Sequence, residues 1–208
     1  MRRVLIASLL AAALAGCLCP ASVRASGFDH LFAKWGRRFF GLMVDWHWFK
    51  AQALAESGLR PQAVSPVGAR GLMQLMPATS AEMARRLGVA DRPWDPRLNV
   101  MLGVAYDRRL WDLWHSPRPS MERLRLVFAS YNAGPGNILR AQRLARRRGG
   151  CSNLWRCLAP LLPSITGRHA AETRGYVARI ERFYWAMRLK LRRVPRQKTR
   201  AMGMSRAV

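Results

Sequence analysis

At 208 residues the chain is long enough for one domain with a substantial core and too short for two. Its 36 Lys and Arg against 11 Asp and Glu give a formal charge of +25, a surface that favours polyanions such as nucleic acid, anionic lipid or acidic cell-wall polymer. Charge alone does not choose among them.

The N-terminus narrows the choice. Arg2 and Arg3 precede the apolar run VLIASLLAAALAG, which has the form of a secretory signal and is shorter than the about 20 residues a permanent membrane helix needs. Leu14-Ala15-Gly16-Cys17 resembles the bacterial lipobox; cleavage there removes residues 1–16 and makes Cys17 the lipidation candidate of a membrane-anchored lipoprotein. Val23-Arg24-Ala25 is the competing site, and cutting there removes residues 1–25 and releases a soluble periplasmic protein. The lipobox is the preferred reading, since a small-small-Cys triplet closing an apolar run is specific. An exported chain seldom meets nucleic acid, so none is expected as a partner.

Residues 28–40 (FDHLFAKWGRRFF) place Phe28, Leu31, Phe32, Trp35 and Phe39 at helical spacing among basic residues. Two readings stay open: a basic amphipathic segment on an anionic membrane or wall polymer, or a helix packed on the domain. Leu42 to Ala55 is apolar and aromatic and predicts an enclosed helix, ended by Ser57-Gly58 and Pro61, with Glu56 on its last turn. Pro77 opens the next helix and Gly88 ends it; Asp95-Pro96 opens another, with Leu98, Met101, Leu102, Ala105, Leu110 and Leu113 as a core stripe.

Ser120 starts a helix with Leu124, Val127, Phe128 and Tyr131 on one face, broken at Gly134-Pro135-Gly136. Arg140 to Gly150 reads as a solvated basic run, with polyanion contact as its alternative. The last helix, about Ala170 to Leu191, repeats Tyr176, Ile180, Tyr184 and Met187, and residues 192–208 form a basic tail expected to be disordered. No alternating strand pattern, long repeat or linker is present, so the fold class is all-α.

Cys151 and Cys157 flank a loop-like SNLWR segment, and a local disulfide fits an exported protein; two free thiols are the other reading. The four His residues are scattered without ligand spacing, so neither metal nor cofactor is expected. Glu56 is the leading general-acid candidate. Set among Trp48, Phe49 and Leu54, its carboxyl loses hydration, which raises its pKa and keeps it protonated near neutrality.

Four landmarks carry a family resemblance: Glu56-Ser57, GARGLMQLMP at Gly68 to Pro77, ASYNAGPG at Ala129 to Gly136, and ETRGYV at Glu172 to Val177. In this order and spacing, over roughly Trp46 to Leu189, they resemble the soluble lytic transglycosylase (SLT) domain of the goose-type-lysozyme-like group. The resemblance implies a single lysozyme-like helical domain over residues 42–191 that cleaves peptidoglycan. It also implies that Glu56 is the sole catalytic acid and base. Ser65 would polarise the muramic N-acetyl group, and Gln74 and Met76 would line the glycan groove. Tyr131 would place its hydroxyl near Glu56, supported by Asn132, while Glu172 and Tyr176 would close the far wall. Met76 as plain core and Glu172 as a helix-dipole partner are the competing structural roles.

Carboxylates are scarce, and none stands near the Glu56 motif in sequence: Asp45 is most of a helix away and Glu82 lies beyond Pro77. The family's reaction needs no second one, because the substrate's own N-acetyl oxygen is the nucleophile and the product is a 1,6-anhydromuramoyl end. A hydrolytic lysozyme, or a silent wall-binding accessory, are the alternatives on the same fold. Small members of the family often serve a secretion or conjugation apparatus, which is analogy only. Leu59 stands where the family often has an aromatic, and Gln52 is an amide in an apolar helix, either facing the cleft or at the surface.

Overall fold

A computed structural model describes residues 27–193 of the protein. The expected signal peptide, Cys17 and the tail from residue 194 onwards lie outside the described residues. Within them the chain is all-α. Nine α-helices run α1 (Asp29–Phe40), α2 (His47–Ser57), α3 (Pro77–Leu87), α4 (Pro96–Leu113), α5 (Ser120–Ala133), α6 (Pro135–Arg147), α7 (Trp155–Leu158), α8 (Pro163–Thr166) and α9 (His169–Arg193). A 3-10 turn, Ala159–Leu161, separates α7 and α8, and the only extended pairings among the described residues are isolated bridges at Val64, Arg70 and Leu75.

The architecture is organised around α2, which is apolar on nearly every side and so must be enclosed. Trp48, Phe49, Ala51 and Ala53 are buried, with α9 and α1 against it. The face of α9 that meets it repeats Tyr176, Ile180, Tyr184 and Met187, all buried, and Tyr184 stacks on Trp48 with ring centroids 3.7 Å apart. Lys50, otherwise costly to bury, is paired with Asp29 Oδ1 at 2.6 Å, tying α2 to α1.

Two boundaries differ from the sequence reading, and of the two readings open for residues 28–40 the packed helix is the one observed. The helix expected from Leu42 starts at His47, because the Asp45 carboxylate accepts the His47 backbone N–H at 3.1 Å and sets the first turn there. Leu42 and Met43 are left 93% and 68% exposed. Residues 28–40 are part of the domain: Leu31, Phe32 and Phe40 are buried in its core, and α1 packs on α4 and α2. Finally, α9 continues to Arg193, two residues into the stretch expected as tail.

The Arg-rich run belongs mostly to α6, which turns Ile138, Ala141 and Ala145 inward and leaves Arg140, Arg143, Arg146 and Arg147 exposed. Just beyond it, Cys151 and Cys157 form a disulfide with Cα atoms 5.8 Å apart.

Candidate active site

Glu56 occupies the last turn of α2, which ends at Ser57 because Gly58 takes the left-handed conformation (φ 62°) and closes the helix with its N–H on the Leu54 carbonyl. The neighbouring Ser57 hydroxyl donates to the Leu72 carbonyl at 2.8 Å and accepts the Arg60 N–H at 3.2 Å. The Glu-Ser pair therefore divides its work. The serine anchors the following loop to the helix end, and the glutamate is left to project beside it.

That loop, Leu59 to Met76, is held by buried hydrogen bonds rather than by regular structure. Asn99 of α4, fully buried, accepts the Met73 N–H at 2.8 Å and donates to the carbonyls of Arg70 and Pro93 at 3.0 and 3.1 Å. The Tyr131 hydroxyl of α5 donates to the Met73 carbonyl at 2.7 Å. Met73 is thus clamped at both its N–H and its C=O. Its side chain lies against Gly103, where an added Cβ would come within 2.7 Å of the Met73 Cβ, so this crossing of loop over α4 requires glycine.

The four landmarks converge on Glu56. The Tyr176 hydroxyl donates to Glu56 Oε1 at 2.5 Å, from the buried face of α9. Oε2 makes no protein hydrogen bond among the described residues and is not among the buried atoms left without a partner, so it is the oxygen open to an incoming group. Burial is the largest influence on the carboxyl and pushes its pKa up to about 8. The Tyr176 hydrogen bond and the Arg179 charge act against that rise, and the nearby Glu172 adds to it. The residue keeps partial contact with solvent. A carboxyl protonated at neutral pH, anchored through one oxygen and free at the other, can donate a proton to an ether oxygen and later take one back.

The remaining expected residues fall into distinct positions. Tyr131 was expected to bring its hydroxyl to Glu56; that hydroxyl is on the Met73 carbonyl, close enough for the Glu56 charge to help hold the phenol protonated, and Tyr176 makes the direct bond. Asn132 accepts the Thr173 hydroxyl at 2.8 Å, joining α5 to α9 one turn before Tyr176. Glu172 sits in the first turn of α9 with His169 Nδ1 3.7 Å away.

Ser65 accepts the Ala69 N–H through its Oγ at 2.9 Å, which leaves its own O–H able to donate. Gln74 is 6% exposed, in a left-handed conformation (φ 46°), and both hydrogens of its amide are used on the Ala63 and Gly71 carbonyls at 3.0 and 2.9 Å. Its side chain shapes the loop from within. Met76, at the start of α3, is 37% exposed.

Sequence reading missed Asn99, Arg179 and Asp107. Asn99 and Asp107 both lie on the buried face of α4 with Val100, Val104 and Trp111. A polar residue interrupting such a face is the signal that could have found them. Asp107 is a second carboxyl close enough to Glu56 for the Glu56 charge to act on it, bridged to α2 through Gln52. Helical folding brings residue 107 under a motif 51 positions earlier, which linear distance could not show. Among the described residues no group of three His, Cys, Asp or Glu side chains is arranged to hold a metal ion.

Comparison with known proteins bears on this geometry. Residues 34–152 match the profile of the Transglycosylase SLT domain. The chain belongs to the SLT domain family. Among similar proteins, membrane-bound lytic murein transglycosylase F of Vibrio campbellii is 33% identical over 169 residues, covering 75% of this chain and 31% of its own length. Membrane-bound lytic murein transglycosylase F 1 of Alkalilimnicola ehrlichii is 35% identical over 150 residues, covering 71% and 29%. This SLT chain thus spans about a third of the length of the curated relatives it matches.

Solved structures of the same fold include the lytic transglycosylase Slt of Pseudomonas aeruginosa, in an inactive glutamate-to-glutamine mutant. It has a TM-score of 0.62 and 25% identity, over 80% of this chain and 25% of that one. The 70 kDa soluble lytic transglycosylase of Escherichia coli gives 0.58 and 26%, over 79% and 26%. The SLT profile ends before α9, yet α9 supplies the tyrosine on Glu56.

Proposed function

We propose that the protein is an exported peptidoglycan lytic transglycosylase in which Glu56 acts first as acid and then as base. The observation that carries this reading is the state of Glu56: a partly accessible carboxyl with its pKa raised to about 8, fixed by Tyr176 and free at Oε2. The names of the similar proteins support the substrate, and one of the solved neighbours is described as inactive after a glutamate-to-glutamine change.

In the proposed reaction the Glu56 Oε2 proton passes to the oxygen between N-acetylmuramic acid and N-acetylglucosamine as that bond breaks. The muramic N-acetyl oxygen attacks the anomeric carbon and forms an oxazolinium intermediate. Ser65, whose hydroxyl proton remains available, orients that N-acetyl group. Glu56, now a carboxylate stabilised by the Tyr176 hydroxyl, removes the proton from the carbon-6 hydroxyl, which displaces the N-acetyl oxygen and closes the 1,6-anhydro ring. Met76 covers a sugar face, and Asn132, Tyr131 and Gln74 hold the walls rather than the sugar.

A retaining hydrolase would need a second carboxylate about 5–5.5 Å from the acid, able to reach the sugar. Asp107 is wholly buried and cannot do so. Glu172 is partly exposed and acts on Glu56 through its charge, so it is the group a hydrolytic reading would use to activate water. Mass analysis of muropeptides released from purified sacculi separates the two. Anhydromuramoyl ends are expected; reducing muramic ends would replace the lytic reading with hydrolysis, and no release would leave a wall-binding role.

The names of the similar proteins, which are membrane-bound, also support a membrane-associated location, with lipidation at Cys17 as the proposed anchor of an exported protein. Among the described residues no helix is long and apolar enough to cross a membrane.

A further inference from the structure

Gln52 of α2 and Asp107 of α4 are both completely buried, and the Gln52 amide nitrogen donates to Asp107 Oδ1 at 3.2 Å. The other two polar atoms of the pair, Gln52 Oε1 and Asp107 Oδ2, have no hydrogen-bond partner. Both are acceptors as ordinarily drawn, and leaving two buried acceptors unmet is among the costlier faults a core can carry. No cationic side chain among the described residues forms an ion pair with Asp107, which a buried carboxylate would require.

A single proton removes both faults. Placed on Asp107 Oδ2, it turns that oxygen into a donor, and the unmet acceptor on its bonded partner is Gln52 Oε1, the pairing that an acid–amide ring uses. Gln52 is one helical turn before Glu56 on the same face of α2, so whatever fixes Gln52 also fixes the register of the acid above it.

We propose that Asp107 is a positioning residue that stays protonated at neutral pH, paired with Gln52 as a neutral floor beneath Glu56. This rests on the reading of Glu56 given above. The ionisable groups facing Asp107 are Glu56 from α2, Tyr131 from α5 and Tyr176 from α9, with Tyr106 beside it on α4. The charged groups of α4 that meet α1 and α3 are engaged elsewhere, Arg108 with Asp112 and the Phe39 carbonyl and Arg109 with Glu82.

Burial is the largest influence and pushes the Asp107 pKa well above the usual carboxylate range; the Gln52 bond opposes that rise and the Glu56 charge adds to it. The consequence for Glu56 is specific. An ionised Asp107 would repel the Glu56 carboxylate and oppose the second half of the reaction, where that carboxylate must form; a protonated Asp107 does not.

The test uses Asp107→Asn, whose amide can reproduce both hydrogen bonds of the ring without a titrating proton, and Asp107→Ala, which cannot. Infrared difference spectra of the full chain across pH 5 to 9 should contain a protonated carboxyl band at pH 7 that is missing in Asp107→Asn. The Ala variant should melt roughly 5 °C or more below wild type, with the Asn variant restored to within about 3 °C.

On sacculi, Ala should lower kcat more than it changes KM, Asn should restore it, and the alkaline limb of activity should stay where it is in wild type. The proposal is overturned if no carboxyl band is lost in Asp107→Asn, or if that variant moves the alkaline limb down by about one pH unit, which would mean that a charge had been removed. Should the Ala variant not fold, the Asn variant and the infrared band decide. Should the wild type cleave no glycan, the same spectra still read Asp107, so failure of the functional reading leaves this one separately testable.

Discussion

Tyr176 donates its hydroxyl to Glu56 Oε1 across 2.5 Å, joining residues 120 positions apart and fixing α9 against the end of α2. The bond favours the charged carboxylate, whereas burial favours the neutral acid, and burial is the larger influence. Removing the hydroxyl should therefore raise the Glu56 pKa further. Tyr176→Phe is expected to move the alkaline limb of activity above about 8 by roughly half a unit to one unit, with lowered kcat. A pH profile of sacculus lysis checks it, and a limb displaced to lower pH would reverse the assignment.

Stability gives an independent reading of the same carboxyl. Its folded pKa of about 8 exceeds the ordinary 4.5, so between those values the folded state holds a proton that the unfolded state has released. Stability from this group is present in full below about pH 4.5, falls as pH rises, and levels off above about 8. Glu56→Gln keeps an acceptor for Tyr176 and cannot ionise. It should unfold at higher denaturant than wild type above pH 8, by roughly 1–4 kcal/mol, with the gap closing near pH 5. Equal stability at both pH values would mean that Glu56 is not desolvated.

The loop under the site depends on Asn99. Asn99→Ala leaves the Met73 N–H and the Pro93 carbonyl without a partner and the Arg70 carbonyl with the Leu75 N–H alone. A loss of about 3 kcal/mol or more is expected, with KM raised as the loop bearing Ser65 loosens. Chemical denaturation together with steady-state assays measures both; a loss under about 1 kcal/mol would show that water replaces the amide.

The disulfide closes a short loop between the end of α6 and α7. Replacing Cys151 and Cys157 by Ser should lower stability by about 2 kcal/mol with kcat/KM unchanged. Thermal melts and lysis rates on the double variant provide the comparison, and a matching fall in activity would connect this loop to the site.

What the sequence made legible follows from which signals are local. Helix starts at Pro77 and Pro96, the stop at Gly58 and the α9 stripe depend on neighbours in the chain, and each lies where expected. Glu56 was identifiable because its own helix buries it. The partners of each polar side chain were not legible, because they are set by helix packing: Tyr176 makes the direct bond to Glu56, Tyr131 lies near Glu56 with its hydroxyl on the Met73 carbonyl, Gln74 turns inward, and Gln52 faces neither cleft nor surface but Asp107. The apolar run from Leu42 misled because hydrophobicity alone carries no start signal, and Asp45 supplied it.

The most direct measurement is turnover and binding of Glu56→Gln on purified sacculi beside wild type at pH 7. The proposed role predicts binding within about threefold of wild type and a fall in cleavage of at least roughly a thousandfold, since both proton transfers depend on this one carboxyl. Cleavage at a rate near that of wild type would contradict the account.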